Sequence, residues 1–216
     1  MKTIAFIDNF IETPVIHSVN DFILRTKLPC SYHMPATYGM ESLKKCKQAD
    51  GYVLLGSASH VTEKLDWHQQ LLDFLLPKIE KGTPVLGICF GHQLLAYHFG
   101  SEVNYIHQNQ TKHTEAREIS FLNSTLGIQK NTNLLLGFSH SQEVKTVPTG
   151  FDVVAKSKIC AIEALKHKKL PIWTFQSHPE ASEFFLKDSA ELQDEKTIQQ
   201  VIRNGQAVLD GFVREL

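Results

Sequence analysis

Residues 84–100 read Pro-Val-Leu-Gly-Ile-Cys-Phe-Gly-His-Gln-Leu-Leu-Ala-Tyr-His-Phe-Gly, and few folds admit that order of residue types. The apolar run Pro84 to Ile88 is a buried strand. Leu94, Leu95 and Phe99 then recur at helical spacing until Gly100, which stands where helices commonly stop. Between them lies a Gly-Xaa-Cys-Xaa-Gly turn, Gly87 to Gly91. A strand, a sharp turn with a nucleophile at its apex and a helix form a nucleophile elbow, here with Cys89 in place of serine. Glycines two positions before and after the apex leave room for a strained backbone. The helix N-terminus favours the thiolate of Cys89. Taken alone, the stretch reads equally well as a core cysteine at a tight turn.

The remainder of the chain tells what sheet this strand joins. Thr3 to Ile7, Cys30 to Met34 and Gly51 to Leu55 are short apolar runs. Pro14 to Lys27 carries Val15, Val19, Phe22 and Ile23 at helical spacing, and Trp67 to Lys81 carries Trp67, Leu71, Leu75 and Ile79. Met40 to Ala49 reads as a short polar helix or turn. Pro77 is expected to kink or split the Trp67–Lys81 helix. Strands alternating with helices predict a mostly parallel sheet covered on both faces. Reactive groups in such sheets gather at the carboxyl ends of strands, and Asp8-Asn9, Gly56-Ser57 and Cys89 all fall there. After Gly100 the pattern changes to short strands near 117–121, 133–136, 152–155 and 161–164, separated by turn residues. We read them as an antiparallel extension of one domain spanning residues 1–216. Pro171 to Phe175 is a last strand, and a closing helix with Val201, Ile202, Val208, Leu209, Phe212 and Val213 on one face ends the chain.

The elbow acquires a partner downstream. His178-Pro179-Glu180 follows the last strand. Pro179 disfavours a helical His178, and an extended segment would set the imidazole and the Glu180 carboxylate side by side. A thiol needs a base to take its proton, and a carboxylate on the far ring nitrogen fixes the tautomer of that base. Cys89, His178 and Glu180 therefore suit the roles of nucleophile, general acid–base and orienter.

Composition excludes other chemistries. Lys and Arg number 22 against 23 Asp and Glu, with no basic block, which argues against nucleic acid or an anionic membrane as partner. No apolar run approaches the roughly 20 residues needed to span a bilayer, and the first one is too short for a signal peptide. The four cysteines are widely spaced, as expected in a reducing cytoplasm. With neither Cys-Xaa-Xaa-Cys nor His-Xaa-Xaa-Xaa-His, no metal and no cofactor is expected.

Gly87-Ile88-Cys89-Phe90-Gly91-His92-Gln93 together with Phe175-Gln176-Ser177-His178-Pro179-Glu180 resembles the class I, triad-type glutamine amidotransferases. The likeness is closest to the glutaminase domain of GMP synthase and its stand-alone relatives. Ile7 to Phe10 and the segment Gly137 to Val144, with Val147-Pro148 and Gly150-Phe151, are also similar to that family. The resemblance implies a flavodoxin-like three-layer α/β fold and release of ammonia from the glutamine side chain through a γ-glutamyl thioester on Cys89. It assigns the oxyanion hole to the backbone N–H groups of Ser57 and Phe90. It further assigns substrate contacts to Gly56, Gln93, Ser141 and Gln142.

The chain departs from the family pattern in three places. Gly56-Ser57-Ala58 stands where Gly-Gly-Pro is frequent, Gln142 replaces an acidic residue, and Glu115-Ala116-Arg117 lacks the glycine of a Glu-Xaa-Gly motif. No Walker-type loop or pyrophosphatase loop accompanies the elbow. The ammonia would then serve a separate ATP-dependent synthetase subunit. Two alternatives stay open: a stand-alone γ-glutamyl hydrolase or peptidase, and a non-catalytic regulatory member of the fold.

Overall fold

The computed structural model describes residues 1–11, 14–46 and 49–216. In chain order the elements are β1 (Ile4–Ile7), α1 (Ile16–Thr26), β2 (Cys30–His33), the short helices α2 (Pro35–Tyr38) and α3 (Glu41–Lys45), β3 (Gly51–Leu54), α4 (Asp66–Glu80), β4 (Val85–Ile88) and α5 (Phe90–His98). Then come β5 (Val103–Tyr105), β6 (His113–Phe121), β7 (Asn133–His140), β8 (Gln142–Val144), β9 (Phe151–Lys156), β10 (Ala164–His167), β11 (Ile172–Phe175), α6 (Glu183–Asp188) and α7 (Glu195–Glu215). The expected polar helix at 40–49 is α3, and Lys47 and Gln48 lie outside the described residues.

Nine strands form one sheet in the order β2-β1-β3-β4-β11-β10-β9-β6-β7. The pairs from β2 to β11 are parallel, and those from β11 to β7 are antiparallel. The antiparallel strands thus extend the parallel sheet. Residue alternation divides the core between the two faces. Ile4, Phe6, Val53 and Leu86 pack with Phe22 of α1 and with Val208, Leu209 and Phe212 of α7. Ala5, Ile7, Tyr52 and Val85 pack with Leu71 and Leu75 of α4 and with Leu94 and Leu95 of α5. Burying each such large side chain contributes about 1.5–3 kcal/mol. Among the described residues, no helix is long and apolar enough to cross a membrane.

Two local expectations are corrected. Helix α4 is not split: it runs from Asp66 to Glu80 through Pro77. Pro77 lies in its last turn, where the missing N–H removes one hydrogen bond near the end, and Leu75 and Ile79 on either side stay fully buried. The strand expected at 161–164 begins at Ala164. Ser157 Oγ accepts the N–H groups of Ile159 and Cys160, which closes a turn, and the register against β9 shifts between Ala164 and Leu165. The ribbon of β5 and β8 was not anticipated.

Candidate active site

Strands β1, β3, β4 and β11 lie side by side and parallel, so their carboxyl ends open on one edge of the sheet. Cys89 follows β4 as the N-terminal cap of α5, with φ 50° and ψ −100°. That backbone is unfavourable for any L-residue. Its N–H donates to Phe175 O of β11 at 2.8 Å, and its carbonyl accepts the Gln93 N–H at 3.0 Å. The flanking glycines are dictated by space. A Cβ on Gly87 would lie 2.7 Å from Gly91 O, and one on Gly91 would lie 2.7 Å from Leu54 O at the end of β3.

His178 follows β11. Its N–H donates to Gly137 O at 2.9 Å, and Nδ1 meets Glu180 Oε1 at 2.8 Å. Both residues are buried. The pairing arises differently from the sequence expectation. Residues 178–181 form a turn, closed by the Ala181 N–H donating to His178 O at 3.1 Å, with Pro179 in the position such turns favour. The turn, and not an extended segment, sets Glu180 beside its own histidine. Phe185 of α6 lies against the imidazole at 4.4 Å between ring centres. Helix α7 presses on the turn from behind: a Cβ on Gly205 would collide with the backbone of Pro179.

Electrostatics favour a charged imidazole. Burial alone opposes it, but the Glu180 carboxylate and the Cys89 sulfur outweigh burial, and the His178 pKa is raised. An ionised carboxylate only accepts hydrogen bonds, so Nδ1 keeps its proton toward Glu180 and Nε2 is the nitrogen that gains or loses one. Nε2 is buried and is the ring nitrogen left for Cys89, the other side chain that His178 meets. Cys89 and His178 line one cavity of about 300 Å³. A Cβ on Gly56 would lie 3.0 Å from His178 Cε1 and 3.7 Å from Cys89 Cβ. Gly56 therefore serves the approach of these two side chains and does not line the cavity.

Ser57, Gln93, Ser141 and Gln142 all line the cavity. Phe90 is not among the cavity-lining residues: its ring is buried against Trp67 and His68, while its N–H belongs to the first helical turn and has no intrahelical acceptor. Gln93 is more committed than the resemblance implies. Its Nε2 donates to Gln142 O at 2.7 Å and to Gln176 Oε1 at 3.1 Å, so only its carbonyl oxygen is left for a ligand. Ser141 O accepts the Ile106 N–H.

Sequence reasoning missed several wall residues. His140 receives Arg117 Nη2 at Nε2, 3.2 Å, and its Nδ1–H donates to Gln142 O at 2.9 Å. Burial pushes its pKa down to about 3, so the ring is neutral. Lys112, in the loop before β6, and Phe10, after β1, also reach the cavity. Phe10 is held by Asp8, whose carboxylate accepts the N–H groups of Phe10 at 3.0 Å and Val15 at 2.8 Å and the hydroxyl of Tyr32. Burial raises the Asp8 pKa against these bonds, and the nearby Glu180 charge raises it further. Only the position of Asp8-Asn9 at a strand end signalled this. No group of His, Cys, Asp and Glu among the described residues is arranged to hold a metal ion.

The chain has counterparts among known proteins. Residues 7–187 match the model of the family described as glutamine amidotransferase class-I. One subunit of the glutamine-hydrolysing GMP synthase of Methanocaldococcus jannaschii is 32% identical over 157 residues, covering 69% of this chain and 74% of that protein. Its namesake from Archaeoglobus fulgidus is 32% identical over 162 residues, covering 74% and 82%. A glutamine amidotransferase of Methylobacillus flagellatus shares the fold at a TM-score of 0.76 and 19% identity, covering 100% of this chain and 96% of that one. One from Thermotoga maritima does so at 0.74 and 17%, with the same coverage. A family match running from the end of β1 through α6 takes in the elbow and the His-Pro-Glu turn alike, and the chain belongs to the class I glutamine amidotransferases.

Proposed function

We propose that the protein hydrolyses the side-chain amide of glutamine and supplies the ammonia to a separate, ATP-dependent synthetase subunit. The observation that carries this reading is the buried His178–Glu180 pair at 2.8 Å, beside a cysteine held in a strained elbow. In the proposed reaction His178 Nε2 takes the thiol proton and Cys89 Sγ attacks the amide carbon. The oxyanion is met by the N–H groups of Phe90 and Ser57. The imidazolium, stabilised by Glu180, protonates the departing ammonia. His178 then takes a proton from water, which attacks the γ-glutamyl thioester and frees glutamate and the thiol. Gln93, through its carbonyl oxygen, with Ser141 and Gln142, would position the substrate.

The purified protein is expected to release glutamate from glutamine, and Cys89→Ala to abolish that release; equal activity in the variant would overturn the mechanism. Glutamine-dependent amination on adding a candidate synthetase tests the partner. The archaeal relatives are each named as one subunit of a glutamine-hydrolysing synthase, which supports a partner of that kind. A stand-alone γ-glutamyl hydrolase would use the same acyl-enzyme, and a panel of γ-glutamyl amides separates the two.

A further inference from the structure

The charges around the cavity constrain which γ-glutamyl compounds fit it. The α-carbon of free glutamine carries an ammonium and a carboxylate, and a buried site normally meets each with an opposite charge or a good hydrogen bond. Among the described residues, the cavity wall contains Lys112 but no aspartate or glutamate. The neighbouring carboxylates are engaged elsewhere. Glu180 is bonded to His178. Glu63 accepts Ser59 Oγ at 2.6 Å and the His60 N–H at 3.1 Å. Asp8 holds Tyr32 and the backbone of Phe10 and Val15. Of the ionisable wall residues, His140 is uncharged, with both ring nitrogens spent on Arg117 and Gln142 O.

Gln142 is the second observation. Its side chain is buried at 3% exposure on the cavity wall, and its Oε1 has no hydrogen-bond partner among the described residues. A neutral amide can accept from an α-ammonium or from an acylated α-nitrogen, both of which carry N–H. It cannot neutralise the first, so the stronger hydrogen bond of the ammonium is offset by the cost of desolvating its charge.

We propose that this site recognises its substrate through the α-carboxylate, held by Lys112, and is indifferent to the charge on the α-nitrogen. It then accepts Nα-acylated γ-glutamyl amides alongside free glutamine, with Gln142 removing the usual demand for a free ammonium. This rests on the reading of the cavity as a γ-glutamyl amide site.

The test compares glutamine with Nα-acetylglutamine, as kcat/KM for ammonia release and as binding to the inactive Cys89→Ala protein. The wild type should process the two within about threefold, because no charged contact among the described residues distinguishes them. Lys112→Gln should raise KM for both by about tenfold or more, the cost of one charged hydrogen bond, with a much smaller change in kcat. Gln142→Glu should restore a preference for free glutamine of about tenfold or more. A wild type that disfavours the acetylated compound by more than tenfold, or a Lys112→Gln variant with unchanged KM for both, overturns the proposal. Binding separates specificity from chemistry. Equal binding of both compounds without hydrolysis of either would sustain this specificity and overturn the glutaminase reading. Hydrolysis of glutamine with no binding of the acetylated compound would do the reverse.

Discussion

His178 Nδ1 and Glu180 Oε1 lie 2.8 Å apart inside a single turn, with 2% and 3% of their side chains exposed. The Glu180 carboxylate is therefore fixed to its histidine by local backbone geometry, whereas Cys89 arrives from another strand. Glu180→Gln should leave the fold intact but allow the wrong imidazole tautomer. Glutamine turnover should fall by on the order of 10²–10⁴-fold with an unchanged melting transition. A collapse in stability would mark Glu180 as a structural residue instead.

Cys89 occupies φ 50° and ψ −100°, a conformation that glycine adopts far more readily. Cys89→Gly should therefore abolish turnover and yet stabilise the protein by about 1 kcal/mol in urea denaturation. Unchanged or lower stability would show that the elbow is not strained.

Helix α7 reaches Pro179 only because Gly205 lacks a side chain. Gly205→Ala should cost about 1–3 kcal/mol by overpacking and lower kcat as the turn carrying His178 and Glu180 is displaced. The exposed neighbour Ala207 is the control, since Ala207→Ser should stay within about 0.5 kcal/mol. Equal effects at the two positions would refute the contact.

His92 is fully buried, its Nδ1 2.7 Å from Thr174 Oγ1, and burial lowers its pKa from 6.5 to about 3. Between those values the unfolded chain binds the proton and the folded chain does not, so stability falls as pH falls below 6.5. His140 acts in the same direction. His92→Gln should flatten the fall in stability between pH 6 and 4 by up to about 1.4 kcal/mol per pH unit, read from urea midpoints at each pH. A pH dependence identical to the wild type would exclude His92 as a source of acid lability.

The sequence carried the parallel half of the fold well, because β1, β3 and β4 are continuous apolar runs buried on both faces. The elbow was legible because steric necessity put glycine at 87 and 91. Where pairing is non-local, local pattern fell short. The strands β5 and β8 have three residues each, too few to show a period, yet β8 brings Gln142 O onto the Gln93 amide. Lys112 sits in a polar loop, where nothing nearby marks it as part of a cavity. The Glu180 contact was anticipated but its cause was not, since an extended segment and a proline turn share the sequence His-Pro-Glu and differ only in what packs on them.

The insertion of β11 between β4 and β10 has a consequence in time as well as in space. Cys89 leaves β4, and His178 follows β11, whose Phe175 is the register partner of Ile88. A chain emerging from synthesis presents its thiol long before its imidazole. Until the last strand is laid into the sheet, Cys89 has no His178 beside it. Under the proposed mechanism the closing of the sheet is what completes the site, so an incomplete chain should not hydrolyse glutamine.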